Sequence, residues 1–209
     1  MPELDPETKR IQSIYDRRAR RKQPSGGADL RWLCSRAEGE TLEVGIGRGR
    51  SLPYYPRDVN LHGIDISPVS LEVAARRAEE LGLTVALREG DAAALPYANE
   101  HFDTVVFCFS LCTIPDDRTA IAEAVRVLRC GGRLLLVEHV RSPRRLVRAA
   151  ERLLEPITMR LEGDHLMRDP LEYVLAEELE VEVLERRLLG LVERLVARKP
   201  EADDLEEAV

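Results

Sequence analysis

The chain has 209 residues and a formal net charge of −7, with 44% hydrophobic and 33% charged residues. This composition is typical of a soluble globular protein and argues against a general nucleic-acid binder, which would be basic overall. No apolar run approaches the ~18 residues of a membrane-spanning helix, and the N-terminus lacks the pattern of a signal peptide, so we expect a cytoplasmic protein.

The first 40 residues are expected to be helical. Ile11, Ile14, Tyr15 and Arg18 recur at the spacing of one helix face, which predicts an amphipathic helix over residues 7–20. The Pro-Ser-Gly-Gly segment that follows breaks this helix, and a second helix is predicted over residues 28–37.

Strands and helices alternate along the rest of the chain, which predicts an α/β fold with a doubly wound parallel sheet. The predicted strands after the first are residues 61–64, 84–87, 104–107 and 133–137, with helices over 68–81 and 116–128. Two final strand-like runs, residues 180–185 and 191–197, are joined by a short connection. Such a connection permits an antiparallel hairpin but no parallel crossover.

A glycine-rich turn follows the first strand, with Gly45, Gly47 and Gly49 at every second position. Glycine tolerates positive φ and has no Cβ, so the backbone can pass very close to a ligand here. A dinucleotide motif would need its third glycine where Arg50 stands. Glu43 would also repel a pyrophosphate, whereas it suits a ligand that carries an amino group and a sulfonium.

Acidic residues follow the next two strands. Asp65 lies at the carboxyl end of strand two, where it can accept hydrogen bonds from both ribose hydroxyls of a nucleoside. The alternative role is the N-cap of the following helix, for which Ser67 is an equally good candidate. Asp91 follows strand three and can accept a hydrogen bond from an adenine amino group, or can serve only as a turn residue.

Taken together, these segments closely resemble the class I S-adenosylmethionine-dependent methyltransferases. The motifs that carry the resemblance are Glu43-x-Gly-x-Gly-x-Gly, Asp65, Gly90-Asp91-Ala92, Leu95-Pro96, Phe102-Asp103 and Leu128-x-x-Gly-Gly-Arg. The resemblance runs in order from about residue 11 to residue 199, which is nearly the whole chain. The resemblance implies a Rossmann-like sheet of seven strands with an antiparallel last strand, S-adenosyl-L-methionine as cofactor and S-adenosyl-L-homocysteine as product.

The resemblance also implies roles for individual residues. The cofactor-binding set is Glu43, Gly45, Gly47, Gly49, Asp65, Ile66, Asp91, Ala92 and Ser110. In this set the glycines approach the methionine part, Asp65 binds the ribose, Asp91 and Ala92 flank the adenine, and Ser110 lies beside the methyl donor. Tyr15 and Arg168 are assigned to the cap and the substrate side.

A narrower similarity is to small thiol methyltransferases, with phospholipid and quinone-precursor methyltransferases as more distant relatives. It rests on Leu42-Glu43-Val44-Gly45, Leu111-Cys112-Thr113-Ile114, Val137-Glu138-His139-Val140, Leu154-Glu155-Pro156 and Gly163-Asp164-His165-Leu166-x-Arg168. The acceptor implied is a small or lipid-like molecule.

His139 and His165 are the candidate acid–base groups, because an unperturbed imidazole can take a proton from a thiol, amine or phenol near neutral pH. The alternative for His139 is a hydrogen-bonding role behind the site, and for His165 a structural role in its loop. Methyl transfer chiefly needs in-line placement of the nucleophile, so a general base is not a requirement. No metal site is expected, since the four cysteines lack ligand spacing.

A basic amphipathic helix is predicted after strand five. Arg144, Arg148 and Arg152 form one stripe, backed by apolar residues between positions 146 and 154. The arginines are either a solvated face or a contact with an anionic membrane surface or substrate. We expect one domain over residues 1–200, a helical cap from residues 7–25 and 141–172, and a disordered acidic tail over 201–209.

Two other functions compete with methyl transfer. One is an NAD-dependent oxidoreductase, which Arg50 and Glu43 argue against. The other is a catalytically silent S-adenosylmethionine-binding protein that docks on membranes or partners. A measurement of cofactor binding distinguishes the oxidoreductase from a methyltransferase. A measurement of turnover distinguishes the silent binding protein from a methyltransferase.

Overall fold

The computed structural model describes residues 4–18, 27–161 and 163–201. The helices are α1 (Pro6–Arg18), α2 (Ala28–Cys34), α3 (Pro68–Glu80), α4 (Asp117–Val127), α5 (Arg145–Leu161) and α6 (Pro170–Ala176). The strands are β1 (Glu40–Val44), β2 (Asn60–Asp65), β3 (Val85–Glu89), β4 (Phe102–Cys108), β5 (Leu128–His139), β6 (Glu180–Arg187) and β7 (Val192–Arg198).

The strands form one seven-stranded sheet in the order β3-β2-β1-β4-β5-β7-β6. The first five are parallel, and β7 runs antiparallel to both β5 and β6. The short turn Leu188–Gly190 joins β6 to β7, and so short a connection can only reverse the chain. The predicted Rossmann-like fold with an antiparallel last strand is confirmed.

The core lies on both faces of the central strands. Val105, Val106 and Phe107 of β4 are fully buried, as the continuous apolar run in the sequence predicts. One face packs against Ile121 of α4, and the other packs against Leu33 of α2. Helices on both faces therefore exclude water from the strands that carry the loops described below.

Two predicted boundaries differ clearly from the structure. Helix α2 ends at Cys34, three residues earlier than predicted. Strand β5 begins directly after α4, because Leu128 already pairs with Phe102 before Gly131 turns the chain with a φ of +73°. Residues 19–25 of the predicted cap and 202–209 of the predicted tail lie outside the described residues.

The order of the sheet creates a crevice at its centre. From β1 the chain passes to β2 on one side, whereas β4 pairs with β1 on the other side. Loops that leave the carboxyl ends of β1 and β4 consequently diverge, and open sheets bind ligands at this point. Among the helices in the described ranges, none is long and apolar enough to cross a membrane.

Candidate functional site

A cavity of about 600 Å³, part of it open to solvent, lies at the carboxyl ends of β1, β2, β3 and β4. Its wall includes the following predicted site residues: Tyr15, Gly45, Asp65, Ile66, Asp91, Ala92 and Ser110. The tertiary structure thus brings together residues that are up to 95 positions apart in the chain.

The glycine turn passes close to the loop after β4. Gly45 has a φ of +74°, and a Cβ at this position would lie 2.5 Å from the Cβ of Ser110. Its N–H donates to the carbonyl oxygen of Ile64 at 2.8 Å, which joins the turn to β2. Both the backbone angle and the close contact require glycine here.

Asp65 presents its carboxylate to the cavity while the backbone holds it from behind. Oδ2 accepts from the N–H of Gly47 at 2.7 Å, and Oδ1 accepts from the N–H of Ser67 at 2.9 Å. Burial raises the pKa of Asp65 to about 6, although these hydrogen bonds lower it. A carboxylate has about four acceptor positions, so two remain for hydroxyl groups of a ligand.

The N-cap of α3 is Ser67 and not Asp65. The hydroxyl oxygen of Ser67 accepts from the N–H of Ser70 at 3.0 Å, which is the capping hydrogen bond of this helix. Asp65 is therefore free of the capping role that the sequence left open.

Asp91 is a turn residue and also lies on the cavity wall, and its role toward an adenine stays a prediction. Its carboxylate accepts from the N–H of Ala93 at 2.9 Å, which is the local hydrogen bond of a turn residue. The residue also lines the cavity together with Ala92. The wall at the end of β3 therefore has one acidic and one small apolar residue.

Glu43 and Gly49 do not line the cavity, and the cofactor-binding role that the resemblance implies for them stays a prediction. Glu43 is 2% exposed, and its Oε2 accepts from Ser51 Oγ at 2.6 Å and from the Tyr55 hydroxyl at 3.1 Å. Burial raises the pKa of Glu43 to about 7. A Cβ on Gly49 would collide with Leu52, so this glycine allows close packing of the turn.

The middle glycine of the turn, Gly47, also lies off the cavity wall. Its N–H binds Asp65, and a Cβ at this position would meet no heavy atom closer than 4.0 Å. Its φ is +54°, which explains the glycine. Gly47 therefore acts through the orientation of Asp65.

Glu138 is a site residue that the sequence analysis missed. It is buried at the end of β5, and its Oε1 accepts from the N–H groups of Ser110 at 2.7 Å and Leu111 at 2.9 Å. Burial raises the pKa of Glu138 to about 7. A signal was present in the sequence, because an acidic residue directly follows the apolar run Leu134–Val137 of this strand.

Helix α1 contributes part of the cavity wall. Tyr15 lines the wall together with Thr8 and Ile11, which the sequence analysis did not single out. The amide of Gln12 donates to the carbonyl oxygen of Ile66 at 2.7 Å. Burial raises the pKa of Tyr15, which keeps its hydroxyl neutral.

Two further contacts fix α1 at its ends. The hydroxyl of Ser67 donates to Asp16 Oδ1 at 2.5 Å, which ties α1 to the loop after β2. The guanidinium of Arg10 donates to the carbonyl oxygen of Met159 at 2.9 Å, which ties α1 to α5. The roof of the cavity is therefore held to both the sheet and the second cap segment.

Arg168 does not line the cavity, so the structure does not support direct substrate contact. Its guanidinium donates to the carbonyl oxygens of Leu111 at 2.6 Å and Pro115 at 3.1 Å, and also to that of Ile114. It lies 3.3 Å from the carboxylate of Asp117. Arg168 thus positions the loop after β4, part of which forms the cavity wall.

Neither candidate histidine lines the cavity. The ring of His139 packs against Phe109, a wall residue, with 4.8 Å between ring centroids, and partial burial lowers its pKa. The backbone N–H of His165 donates to the carbonyl oxygen of Cys112 at 2.8 Å. Burial and the nearby Arg168 lower the pKa of His165. Both shifts favour the neutral imidazole, and the catalytic role of these residues stays a prediction.

The sequence is similar to known methyltransferases. Residues 42–136 match the family described as a methyltransferase domain. A phosphatidylethanolamine N-methyltransferase of Cereibacter sphaeroides is 39% identical over 118 residues, which are 56% of this chain and 58% of that protein. A demethylmenaquinone methyltransferase of Thermus thermophilus is 35% identical over 130 residues, covering 57% of this chain and 59% of the relative. The chain thus spans less than two thirds of these relatives.

Solved structures share the fold. A geranyl diphosphate C-methyltransferase from Streptomyces coelicolor aligns over 95% of this chain and 100% of its own, with a TM-score of 0.73 and 14% identity. The [4+2]-cyclase SpnF aligns over 83% of this chain and 79% of its own, with a TM-score of 0.68 and 23% identity. The sheet order and the methyltransferase domain matched at residues 42–136 support the resemblance to the class I S-adenosylmethionine-dependent methyltransferases.

Proposed function

We propose that the protein transfers the methyl group of S-adenosylmethionine to a small or lipid-like acceptor. The observation that carries this proposal is Asp65, whose carboxylate is held on the cavity wall by two backbone N–H groups. Such a carboxylate is already oriented for a ribose and does not need to be reorganised when the ligand binds.

The residues around Asp65 fit the rest of the cofactor. Apolar wall residues Ile66 and Ile114 suit the faces of an adenine ring, and Asp91 suits its amino group. The buried carboxyl of Glu43 lies beneath the turn and favours a cationic ligand above it when ionised. When bound, the cofactor supplies a methyl group on a positively charged sulfur.

The chain's own residues would hold the acceptor in line with that group and exclude water. Tyr15 and Ile11 of α1 form the roof, and the loop around Ser110 forms the opposite wall. We propose that residues 1–200 act as one unit, with residues 7–25 and 141–172 as its cap. His139 or His165, in the neutral state, would orient the acceptor or take its proton.

The acceptor class is supported by the relatives. The two relatives described above are named for a phospholipid and a quinone precursor. One of the two structural neighbours is named for geranyl diphosphate. All three are lipid-like molecules. A lipid-like acceptor also suits the mainly apolar lining of the cavity by Ile11, Phe109 and Ile114.

A catalytically silent cofactor-binding protein is the second candidate. One observation favours it: among the described residues, no histidine lines the cavity, and the wall groups that could accept a proton are carboxylates and a tyrosine. The [4+2]-cyclase neighbour has the same fold and a name that denotes other chemistry. Turnover decides between the two functions, because both require cofactor binding.

Calorimetry tests the cofactor. S-adenosylhomocysteine should bind and NAD should not, and Asp65→Ala should weaken binding by about tenfold or more through the loss of charged hydrogen bonds. Asp58→Ala is the matched control, since Asp58 is an exposed carboxylate in the loop before β2. Tight NAD binding without S-adenosylhomocysteine binding would exclude the proposal.

Turnover is tested with labelled S-adenosylmethionine against thiols, amines, phenols and quinols. Transfer of label to any of these acceptors, abolished or strongly reduced by Asp65→Ala, supports the methyltransferase. Cofactor binding with no transfer to any acceptor supports the silent binder instead.

A further inference from the structure

Helix α5 turns its apolar side to solvent. Leu146 is 87% exposed, Leu153 77% and Leu161 66%, and Leu154 and Ile157 are also exposed. These positions recur at the spacing of one helix face, which in a globular protein normally packs on the core. The sequence predicted an apolar helix face next to the arginine stripe, and the structure shows that this apolar face is exposed to solvent.

The inner face of α5 is polar. Glu151 is 6% exposed, and its carboxylate accepts from the N–H of Ser142 at 3.0 Å. One turn later Glu155 Oε1 accepts from the N–H of Met167 at 3.2 Å. Both carboxylates of the helix thus accept hydrogen bonds from the backbone of the protein. The helix is held by hydrogen bonds on the side where a core helix would have leucines.

The charge on the outer side is therefore basic. Arg144, Arg145, Arg152 and Arg160 are exposed, and the two acidic residues of α5 are turned inward. The chain as a whole carries a net charge of −7, so this surface has the opposite sign to the molecule. An apolar face flanked by arginines matches a bilayer with anionic headgroups in both hydrophobicity and charge.

A second apolar segment lies beside the N-terminal end of α5. Leu188 and Leu189 in the turn between β6 and β7 are 68% and 54% exposed. The hydroxyl of Ser142 donates to the carbonyl oxygen of Leu189 at 2.7 Å, which fixes the turn next to α5. Both leucines have positive φ, an unfavourable conformation for this residue type. Strained exposed leucines are consistent with a binding role.

We infer that α5, with the Leu188–Leu189 turn beside it, docks the protein on an anionic phospholipid bilayer by inserting its leucines between headgroups. The arginines would bind the phosphates while Leu153, Ile157 and Leu161 enter the apolar boundary. A second copy of the chain is a poorer occupant. In a two-fold contact through this face, arginines of one copy would meet arginines of the other.

This surface is connected to the cavity roof. Met159 of α5 accepts the hydrogen bond from Arg10 of α1, and α1 lines the cavity. Docking through α5 would therefore bring the cap close to the bilayer, where lipid-like molecules reside. The membrane inference does not depend on the proposed methyl transfer, because its readout is binding.

Vesicle flotation tests the inference with the full chain. We expect the protein to float with vesicles of phosphatidylcholine mixed with phosphatidylglycerol and to bind vesicles of phosphatidylcholine alone more weakly. Salt should weaken binding to the mixed vesicles because it screens the charges, but the hydrophobic contribution to binding should remain. Absence of binding to the mixed vesicles at low ionic strength would overturn the inference.

Substitutions separate the apolar and charged parts. The double variant Leu153→Ser, Ile157→Ser should reduce partitioning into the mixed vesicles by about tenfold or more. The reason is that serine has little apolar surface to transfer from water into the bilayer. Arg152→Gln with Arg160→Gln should remove the preference for phosphatidylglycerol. Leu184→Ser is the control, since Leu184 is an exposed leucine on β6 and should leave partitioning unchanged. Equal losses in the control and the α5 double variant would contradict the inference.

A tryptophan reporter distinguishes insertion from surface adsorption. Leu153→Trp should be quenched by lipids brominated in their acyl chains, whereas Trp32, which packs against Arg36 and Arg194, should not. Binding without quenching would show that the protein only adsorbs to the headgroups through its charges, and it would overturn the inferred insertion. A dimer in light scattering that dissociates in the Leu153→Ser, Ile157→Ser variant, without vesicle binding, would assign the face to a second copy.

Discussion

The carboxylate of Glu138 accepts a hydrogen bond from the backbone N–H of Ser110 at 2.7 Å, which ties the end of β5 to the loop after β4. Ser110 in turn donates its hydroxyl to the carbonyl oxygen of Val44 at 2.8 Å. The ends of β1, β4 and β5 are thereby joined behind the cavity. A single buried carboxyl thus orients a wall residue that it reaches only through the tertiary fold.

The pH dependence of stability should report Glu138. Its pKa is about 7 in the folded protein, against 4.5 for an ordinary glutamate, because burial disfavours the charged form. The folded state therefore binds more protons between these values, and the free energy of unfolding should fall as the pH rises through this window. Glu43 contributes in the same direction.

Glu138→Gln should make this pH dependence shallower, because the group no longer titrates. Urea unfolding of the parent and the variant on the two sides of the window measures the change. Glu40→Gln is the control, since Glu40 is a half-buried glutamate at the start of β1. An unchanged slope in Glu138→Gln would show that the carboxyl does not titrate in this range.

Gly45→Ala should destabilise the protein more than Gly82→Ala. Both glycines have positive φ, at +74° and +60°, so both substitutions impose similar backbone strain of about 1–2 kcal/mol. Only at Gly45 does the new Cβ collide, with Ser110 at 2.5 Å, whereas nothing lies within 4 Å at Gly82. We expect a further loss of about 1–3 kcal/mol for Gly45→Ala in urea unfolding. Equal losses of stability in the two variants would show that Ser110 moves away from the new Cβ without a cost in free energy.

Arg168→Ala should cost far more stability than Arg141→Ala. Removal of the Arg168 guanidinium leaves carbonyl oxygens without their donor and the Asp117 carboxylate without its ion-pair partner, a loss of about 3 kcal/mol or more. Arg141 also binds two carboxylates, but it is 41% exposed, and such pairs contribute about 0–1 kcal/mol. Chemical denaturation compares the two variants, and a small loss for Arg168→Ala would rule out the positioning role.

His139→Ala and His165→Ala should retain the affinity for S-adenosylhomocysteine, because neither residue lines the cavity. Turnover with an identified acceptor should fall, by up to ~10²–10⁴-fold if the residue is a general base and by less if it only orients the acceptor. His101→Ala is the control, since His101 precedes β4 at the opposite end of the sheet. Parent-like turnover in both variants would reduce the mechanism to placement of a reactive nucleophile.

Local pattern was sufficient for the fold and for part of the site. Continuous apolar runs predicted the buried strands, and the short Leu188–Gly190 connection predicted the antiparallel ending, because both follow from chain geometry. The glycine spacing and Asp65 located the ligand end of the sheet. These features depend on residues close together in sequence, so the sequence by itself determined them.

Tertiary structure decided which side chains face the cavity. Glu43 was expected beside the ligand but points to Ser51 and Tyr55, and Arg168 was expected near the substrate but binds the loop after β4. Glu138 acquired its partners only when β4 and β5 paired. Contacts between distant segments fix these directions, and no spacing within one segment encodes them.

Helix α5 shows the same limit most directly. Its periodicity predicts two faces, one apolar and one charged, but periodicity does not specify which side meets the protein. Glu151 and Glu155 find backbone donors at Ser142 and Met167, so the helix is held by its polar side and Leu153 is left at the surface. The sequence determined that α5 is amphipathic, and only the tertiary hydrogen bonds decided that its leucines face outward.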